Sequence, residues 1–214
     1  NDIFGRQLKA VVQEAGINTD GLVTDESVNT TLAFVHTLPG GDREFSFYRN
    51  PGADMMLSES DIDYKLVQNS HIFHFGSLSM TGEICEAATK KAVETAKESG
   101  AIISFDPNLR ENLWDTLDKA WEKIAYGISE CDILKISDNE IQWFTGEQDF
   151  DRAVEILRGR YGNIKLLLLS LGKNGSRAYC GENSAFAPAA PANTIETTGA
   201  GDTFCGGILA KVLK

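Results

Sequence analysis

Apolar positions recur along this chain with two different periods, and the places where the period changes divide it. Leu8, Val11 and Val12 fall at helical spacing within residues 6–15. From residue 21 to residue 49 the character becomes β-rich. The runs are Leu22-Val23, residues 30–36 and residues 44–48, separated by Asp25-Glu26 and by the turn Pro39-Gly40-Gly41-Asp42. They predict a small antiparallel element, too thin to hold a core of its own, that serves as a flap or lid.

Beyond it strand and helix signals alternate. Residues 71–75 read as a short strand, and residues 83–98 as a helix with Ile84, Ala87, Ala88 and Val93 on one face. Gly100 ends that helix before the strand at residues 101–105. Leu117, Ala120, Trp121, Ile124, Ala125 and Ile128 give an i, i+3, i+4 stripe, with Asp115 the expected N-cap. A strand at residues 132–136, a helix near Glu140 and another over residues 151–160 follow. Residues 164–170 are nearly continuous in apolar side chains, as a strand covered on both faces requires. The alternation predicts one α/β domain over residues 1–214: a doubly wound, mostly parallel sheet with a small antiparallel β-lid at about residues 21–49.

Composition narrows the function classes. With 214 residues, 42% hydrophobic and 24% charged, the chain can bury a sizeable core, and its apolar runs exclude disorder. No stretch approaches the roughly 20 apolar residues of a membrane span. Twenty basic residues against 31 acidic ones leave a net charge of −11, which disfavours nucleic acid as a partner. Cys85, Cys131, Cys180 and Cys205 are far apart, form no Cys-x-x-Cys pair and accompany only three histidines. They are expected to be reduced thiols of a cytoplasmic protein, neither zinc ligands nor a disulfide framework. The chain begins without Met and opens in a helical pattern, so it is expected to be cut at both ends.

In open α/β sheets ligands bind beyond the carboxyl ends of the strands. Four polar clusters are predicted there: His74-Phe75-Gly76-Ser77, Asp106-Pro107-Asn108-Leu109-Arg110, Ser137-Asp138-Asn139-Glu140, and Ser170-Leu171-Gly172-Lys173-Asn174-Gly175. Taken singly, each is ordinary turn and cap chemistry. A fifth cluster, Glu196-Thr197-Thr198-Gly199-Ala200-Gly201-Asp202-Thr203-Phe204, leads into the apolar helix at residues 208–213. Small residues opening a helix let free N–H groups approach an anion, with the helix dipole behind them. An Asp in that turn is normally a dipole partner; beside a bound phosphate it can take a proton from an attacking hydroxyl. There is neither a Walker lysine motif nor a Gly-x-Gly-x-x-Gly fingerprint.

The stretch from Thr197 to Phe204, with Gly206-Gly207, closely resembles the C-terminal signature of the ribokinase/PfkB sugar kinases. Phe47-Tyr48-Arg49-Asn50-Pro51-Gly52-Ala53-Asp54, Phe73-His74-Phe75-Gly76-Ser77-Leu78-Ser79, Asp106-Pro107-Asn108-Leu109-Arg110 with Leu113-Trp114, and Lys135-Ile136-Ser137-Asp138 with Glu140 resemble its fructokinase branch. The resemblance runs through the whole chain in the family's order. It implies ATP-dependent phosphorylation of a sugar hydroxyl, with Asp202 as catalytic base and the backbone N–H groups of Gly199, Ala200 and Gly201 as an anion hole. It further implies magnesium near Glu140 through water, with Ser170 and Gly172 beside the nucleotide phosphates. Asn108 and Arg110 would face phosphates or sugar, and Arg49 and Phe34 on the lid would contact the sugar. A homodimer through the lid is also expected, because its strand edges need covering.

The sequence departs from the family pattern in several places. Glu196 stands where Asp is usual, in a segment that with Thr198 would form a monovalent-cation loop for potassium. Ser137 replaces the ribokinase Asn, as is common in fructokinases. The family's N-terminal Gly-Gly and Asn sugar-binding motif and its C-terminal adenine segment are missing. The readings carried forward are a fructokinase-like enzyme, a 2-keto-3-deoxygluconate kinase or ribokinase, and a sugar-kinase-like protein that binds without turnover.

Overall fold

The computed structural model describes residues 1–37, 43–193 and 197–213. They form two compact units, Asn1–Leu66 with Ser79–Ala92, and Val67–Leu78 with Val93–Lys214.

The first unit opens with α1 (Ile3–Glu14), three residues earlier than its apolar stripe suggests. The reason is a cap. Asp2 accepts the N–H of Gly5 at 2.8 Å, the N–H of Thr30 at 2.7 Å and the Thr30 hydroxyl at 2.9 Å. These donors, the Gly5 and Thr30 amides foremost, hold the Asp2 carboxyl down at about 2. Strands β1 (Leu32–Thr37) and β2 (Arg43–Tyr48) pair antiparallel, with Leu32 opposite Tyr48 and Phe34 opposite Ser46. The expected turn at residues 39–42 lies outside the described residues. Leu22 and Val23 form no strand. The Leu22 N–H closes a turn onto the Thr19 carbonyl, and Asp25 accepts the N–H groups of Ser27 and Val28, so local polar bonds override β propensity there. A short helix, α2 (Tyr64–Gln68), follows.

The second unit carries the main sheet. In chain order come β3 (Ile72–Gly76), α3 (Glu83–Glu98), β4 (Ile102–Asp106), α4 (Leu117–Glu130), β5 (Ile133–Ser137), α5 (Asp138–Thr145), α6 (Phe150–Arg160), β6 (Leu166–Ser170), β7 (Ser176–Cys180), β8 (Asn183–Ala187) and α7 (Ala200–Val212), with α3 belonging to the first unit as far as Ala92. The six strands lie side by side in sequence order, β3 to β6 parallel and β7 and β8 antiparallel. This is the α/β architecture with a small antiparallel companion sheet that the alternation predicts.

Leu167, Leu168 and Leu169 are all buried, so β6 is covered on both faces, as its unbroken apolar run requires. Ile124 and Ile128 of α4, Ile141 of α5 and Leu157 of α6 join that core, each worth about 1.5–3 kcal/mol on full burial. The N-cap of α4 is Thr116, whose hydroxyl accepts the Lys119 N–H at 3.2 Å; Asp115, expected to cap, pairs with the Lys119 ammonium at 2.6 Å instead. Strand pairing of β7 and β8 is not expected from sequence, since every residue of β8 is exposed and no alternation marks it. Among the described residues no helix is long and apolar enough to cross a membrane. The four thiols are free, three of them buried.

Candidate active site

Parallel pairing aligns the carboxyl ends of β3 to β6, so Gly76 stands opposite Asp106 and Ser137 opposite Ser170. The four polar clusters therefore do share one edge. A cavity of about 500 Å³ opens beyond it, with Asn108, Arg110, Glu140, Ser170 and Gly172 in its walls. Ala200, Gly201 and Phe204 of α7 also line it, together with Thr197.

The loop after β4 is fastened at successive residues. Asp106, only 4% exposed, meets the Lys135 ammonium at 2.9 and 3.1 Å. Burial pushes the Asp106 carboxyl up to about 6; Lys135 and the Asn108 N–H oppose that rise, and Glu140 adds to it. Ser77 donates to the Pro107 carbonyl through its hydroxyl at 2.5 Å and its N–H at 3.4 Å. Asn108 takes the left-handed conformation, φ 46°, which Asn tolerates better than most residues. The Leu109 N–H donates to Glu140 Oε1 at 2.8 Å. Glu140 Oε2 accepts the Ser137 N–H at 2.9 Å and the Ser137 hydroxyl at 2.7 Å, the capping box that starts α5.

At the fifth cluster α7 begins at Ala200, eight residues before its apolar stretch. Gly199 precedes it in the left-handed conformation, φ 74°, which glycine adopts without strain, and no side chain caps the helix. The first-turn N–H groups of a helix lack intrahelical partners. Of the three donors expected for the anion hole, that of Ala200 donates to the Thr197 carbonyl at 3.2 Å. Asp202 is the third helical residue and is exposed. A Cβ placed on Gly199 would stand 3.9 Å from its carboxylate, which thus turns back toward the opening of the helix. Asp202 follows the wall residue Gly201 and does not itself line the cavity. Its charge reaches His74, whose imidazole is pushed down by desolvation, raised by Asp202 and lowered by Lys135. Thr198 lies in the turn before α7; Glu196, its partner in the expected cation loop, lies outside the described residues.

Arg49 and Phe34 belong to the first unit. The Arg49 guanidinium donates to Asp54 at 2.6 and 2.7 Å and to the Thr81 hydroxyl at 2.8 Å, leaving the side chain 5% exposed. These bonds hold Arg49, expected to contact the sugar, to Asp54 and Thr81 of its own unit. Phe34 is exposed and packs edge-on against Tyr48, centroids 5.4 Å apart.

Lys135 and its partner Asp106 stand inside stretches singled out from the sequence, but the sequence reading gave neither a role. A lysine inside the run Ile133-Leu134-Lys135-Ile136 was the available signal, because a buried charge demands a partner. Among the described residues no group of three His, Cys, Asp or Glu could hold a metal ion. Both Glu140 oxygens already accept protein donors, which suits water-mediated contact with a phosphate-bound cation better than direct ligation.

A strand-end cavity walled by loops and by a small-residue helix opening is an arrangement whose free N–H groups can meet an anion. The sequence matches the pfkB family carbohydrate kinases over residues 1–214, and the chain belongs to that family. It is similar to Fructokinase-1 of Oryza sativa subsp. japonica and Fructokinase-1 of Zea mays, 39% identical to each over 214 residues. All of this chain is matched and 66% of each relative, so the chain spans slightly less than two thirds of their length. The structure resembles that of a fructokinase from Vibrio cholerae O395 in fructose, ADP and calcium ion bound form. The TM-score is 0.90 at 29% identity, over 98% of this chain and 67% of that one. It also resembles a putative ribokinase II from E. coli in complex with ATP and Mg²⁺, with TM-score 0.89 and 26% identity over 100% of this chain and 67% of that one.

Proposed function

We propose that the chain serves an ATP-dependent kinase that moves the γ-phosphoryl group of Mg-ATP to a hydroxyl of a ketohexose, fructose, at its 6-position. The observation that carries this reading is the opening of α7, whose residues Ala200 and Gly201 line the cavity after the left-handed Gly199, with Asp202 in the same first turn. In the step, Asp202 accepts the proton of the sugar hydroxyl as the sugar oxygen bonds to phosphorus. The bond from phosphorus to the bridging oxygen breaks, and ADP leaves. Small-residue N–H groups, those of Gly199 and Gly201 above all, stabilise charge on the phosphoryl oxygens. Magnesium carried on the phosphates would supply charge neutralisation, and Glu140 would hold it through water. Asn108, Arg110, Ser170 and Gly172 bind and orient phosphates from the cavity walls. Potassium is assigned to the Thr198 turn.

The fructokinase relatives support fructose over other sugars. The free thiols fit a cytoplasmic setting, and exposed Phe34, Val35 and Tyr48 support a homodimer through the lid, which light scattering at micromolar concentration checks. The deciding experiment is ADP release coupled to a sugar panel, run on the enzyme with the full length of its relatives. Fructose is expected to give the highest kcat/KM; acceptance of 2-keto-3-deoxygluconate or ribose with fructose ignored overturns the assignment. Calorimetric uptake of sugar without ADP release would make it a binding protein.

A further inference from the structure

We propose that Lys135 is the buried cation that receives the terminal phosphate of the nucleotide, and that Asp106 is the positioning residue that holds its ammonium in place. The proposal rests on the kinase reading above and adds a residue to it.

Lys135 sits in the middle of β5 between Leu134 and Ile136, both fully buried, and is itself 5% exposed, yet it lines the strand-end cavity. Its stem thus crosses the core and only its head reaches the site. The direction of that head is set at two points. Both Asp106 oxygens lie within 3.1 Å of Nζ. A Cβ built on Gly201 would stand 3.1 Å from the same Nζ, so the ammonium lies under the first turn of α7, and a side chain at position 201 would press on it.

That placement sets like charges close together. A helix N-terminus carries partial positive charge, and a cation beneath it is repelled. Asp106 offsets the charge of Lys135, and Arg110 faces the same cavity together with the carboxylates of Asp138 and Glu140, the latter already accepting three protein donors. A buried ion pair adds little to stability over apolar residues of similar volume. What the arrangement does provide is a dry, preorganised donor aimed at the place where an anion would rest against α7. An ammonium there donates to a non-bridging phosphate oxygen, and its attraction grows as negative charge builds on the phosphoryl oxygens and ADP departs.

The test contrasts ATP with adenosine, since only the former carries phosphates. Lys135→Met alone strands a buried carboxylate, so the doubly neutral Asp106→Asn/Lys135→Met protein is measured beside it, with thermal unfolding as the check on folding. Calorimetry is expected to show ATP affinity in the double variant reduced roughly 10- to 100-fold, the worth of a charge-assisted hydrogen bond, and adenosine affinity unchanged. kcat should fall roughly 10²- to 10³-fold, as for removal of a preorganised donor, with the KM for sugar held. A double variant that binds ATP and turns over like the unsubstituted enzyme shows that the pair is structural and overturns the proposal. Parallel loss of ATP and adenosine affinity does the same. If the unsubstituted enzyme binds ATP and phosphorylates no sugar, the kinase reading fails while the ATP–adenosine contrast still tests Lys135.

Discussion

The Glu140 carboxylate accepts the backbone N–H of Leu109 at 2.8 Å, joining residues 31 positions apart and tying the start of α5 to the loop that carries Asn108 and Arg110. The same carboxylate caps its own helix through Ser137. Glu140 is therefore a staple before any cation arrives. Glu140→Gln has one carbonyl oxygen where Glu140 serves the N–H groups of Leu109 and Ser137 with two, and its NH₂ faces a donor at the other position. One N–H is left unsatisfied, at a cost of about 1–3 kcal/mol. Unfolding measured in EDTA should register this loss, and the KM for ATP should rise as the loop loosens. Unchanged stability without metal, with only the magnesium dependence shifted, would leave Glu140 no role as a staple.

Helix α4 meets the sheet at a point with no room for a methyl group. A Cβ on Gly127 would lie 2.3 Å from Phe105 Cζ, and Phe105 is fully buried in β4. Neither backbone nor ring can shift without disturbing the core, so Gly127→Ala is expected to cost about 1–3 kcal/mol by overpacking. Chemical denaturation reads it as a lower midpoint at constant m. Adding Phe105→Leu, which shortens the ring's reach, should return part of the loss; additive effects of the two changes would refute direct contact.

Burial raises Asp106 from its ordinary 3.8 to about 6, and this sets the sign of a pH effect. Over that interval the folded chain binds more protons than the unfolded one. The contribution is fully present below pH 3.8 and is lost as pH rises through about 6. Two pH units correspond to a change on the order of 3 kcal/mol. Asp106→Asn lacks the titrating group, so the stability of the unsubstituted protein relative to this variant should decline between pH 4 and pH 7. A difference that stays flat, or grows with pH, means the carboxylate is better stabilised than its burial implies.

How far the sequence reaches can be judged from single residues. Strand β6 was readable because burial on both faces leaves an unbroken apolar run, and α3 was readable to its ends because Gly100 stops it. The carboxyl-end clusters followed from the strands before them, which is why Asn108, Arg110, Glu140, Ser170 and Gly172 reach one cavity. What stayed hidden depends on partners distant in sequence. Strand β8 lies wholly at the surface, so no pattern marks it, yet Ala187 and the following Pro188 and Ala189 help wall the cavity. Arg49 reads from sequence as a sugar contact on the lid, and nothing local shows that Asp54 and Thr81 bind its guanidinium. Asp115 and Thr116 are both good caps, and the choice between them turned on Lys119, which draws the carboxylate away.

The remaining prediction concerns Asp202. A sugar hydroxyl is a poor nucleophile at neutral pH, so its proton must leave as the new bond to phosphorus forms. Asp202 is the carboxylate on the first turn of α7, beside the small residues proposed to hold the phosphoryl group, and it is exposed and turned back toward Gly199. Asp202→Asn preserves size and shape and removes the ability to accept a proton. In the enzyme with the full length of its relatives, kcat is expected to fall roughly 10²- to 10⁴-fold, the usual span for loss of a general base, with the affinities for fructose and ATP little changed. Single-turnover measurement places the loss in the chemical step if phosphoryl transfer slows by the same factor. A variant with near-normal kcat would leave Asp202 as a dipole partner of α7 and remove the mechanism proposed for this site.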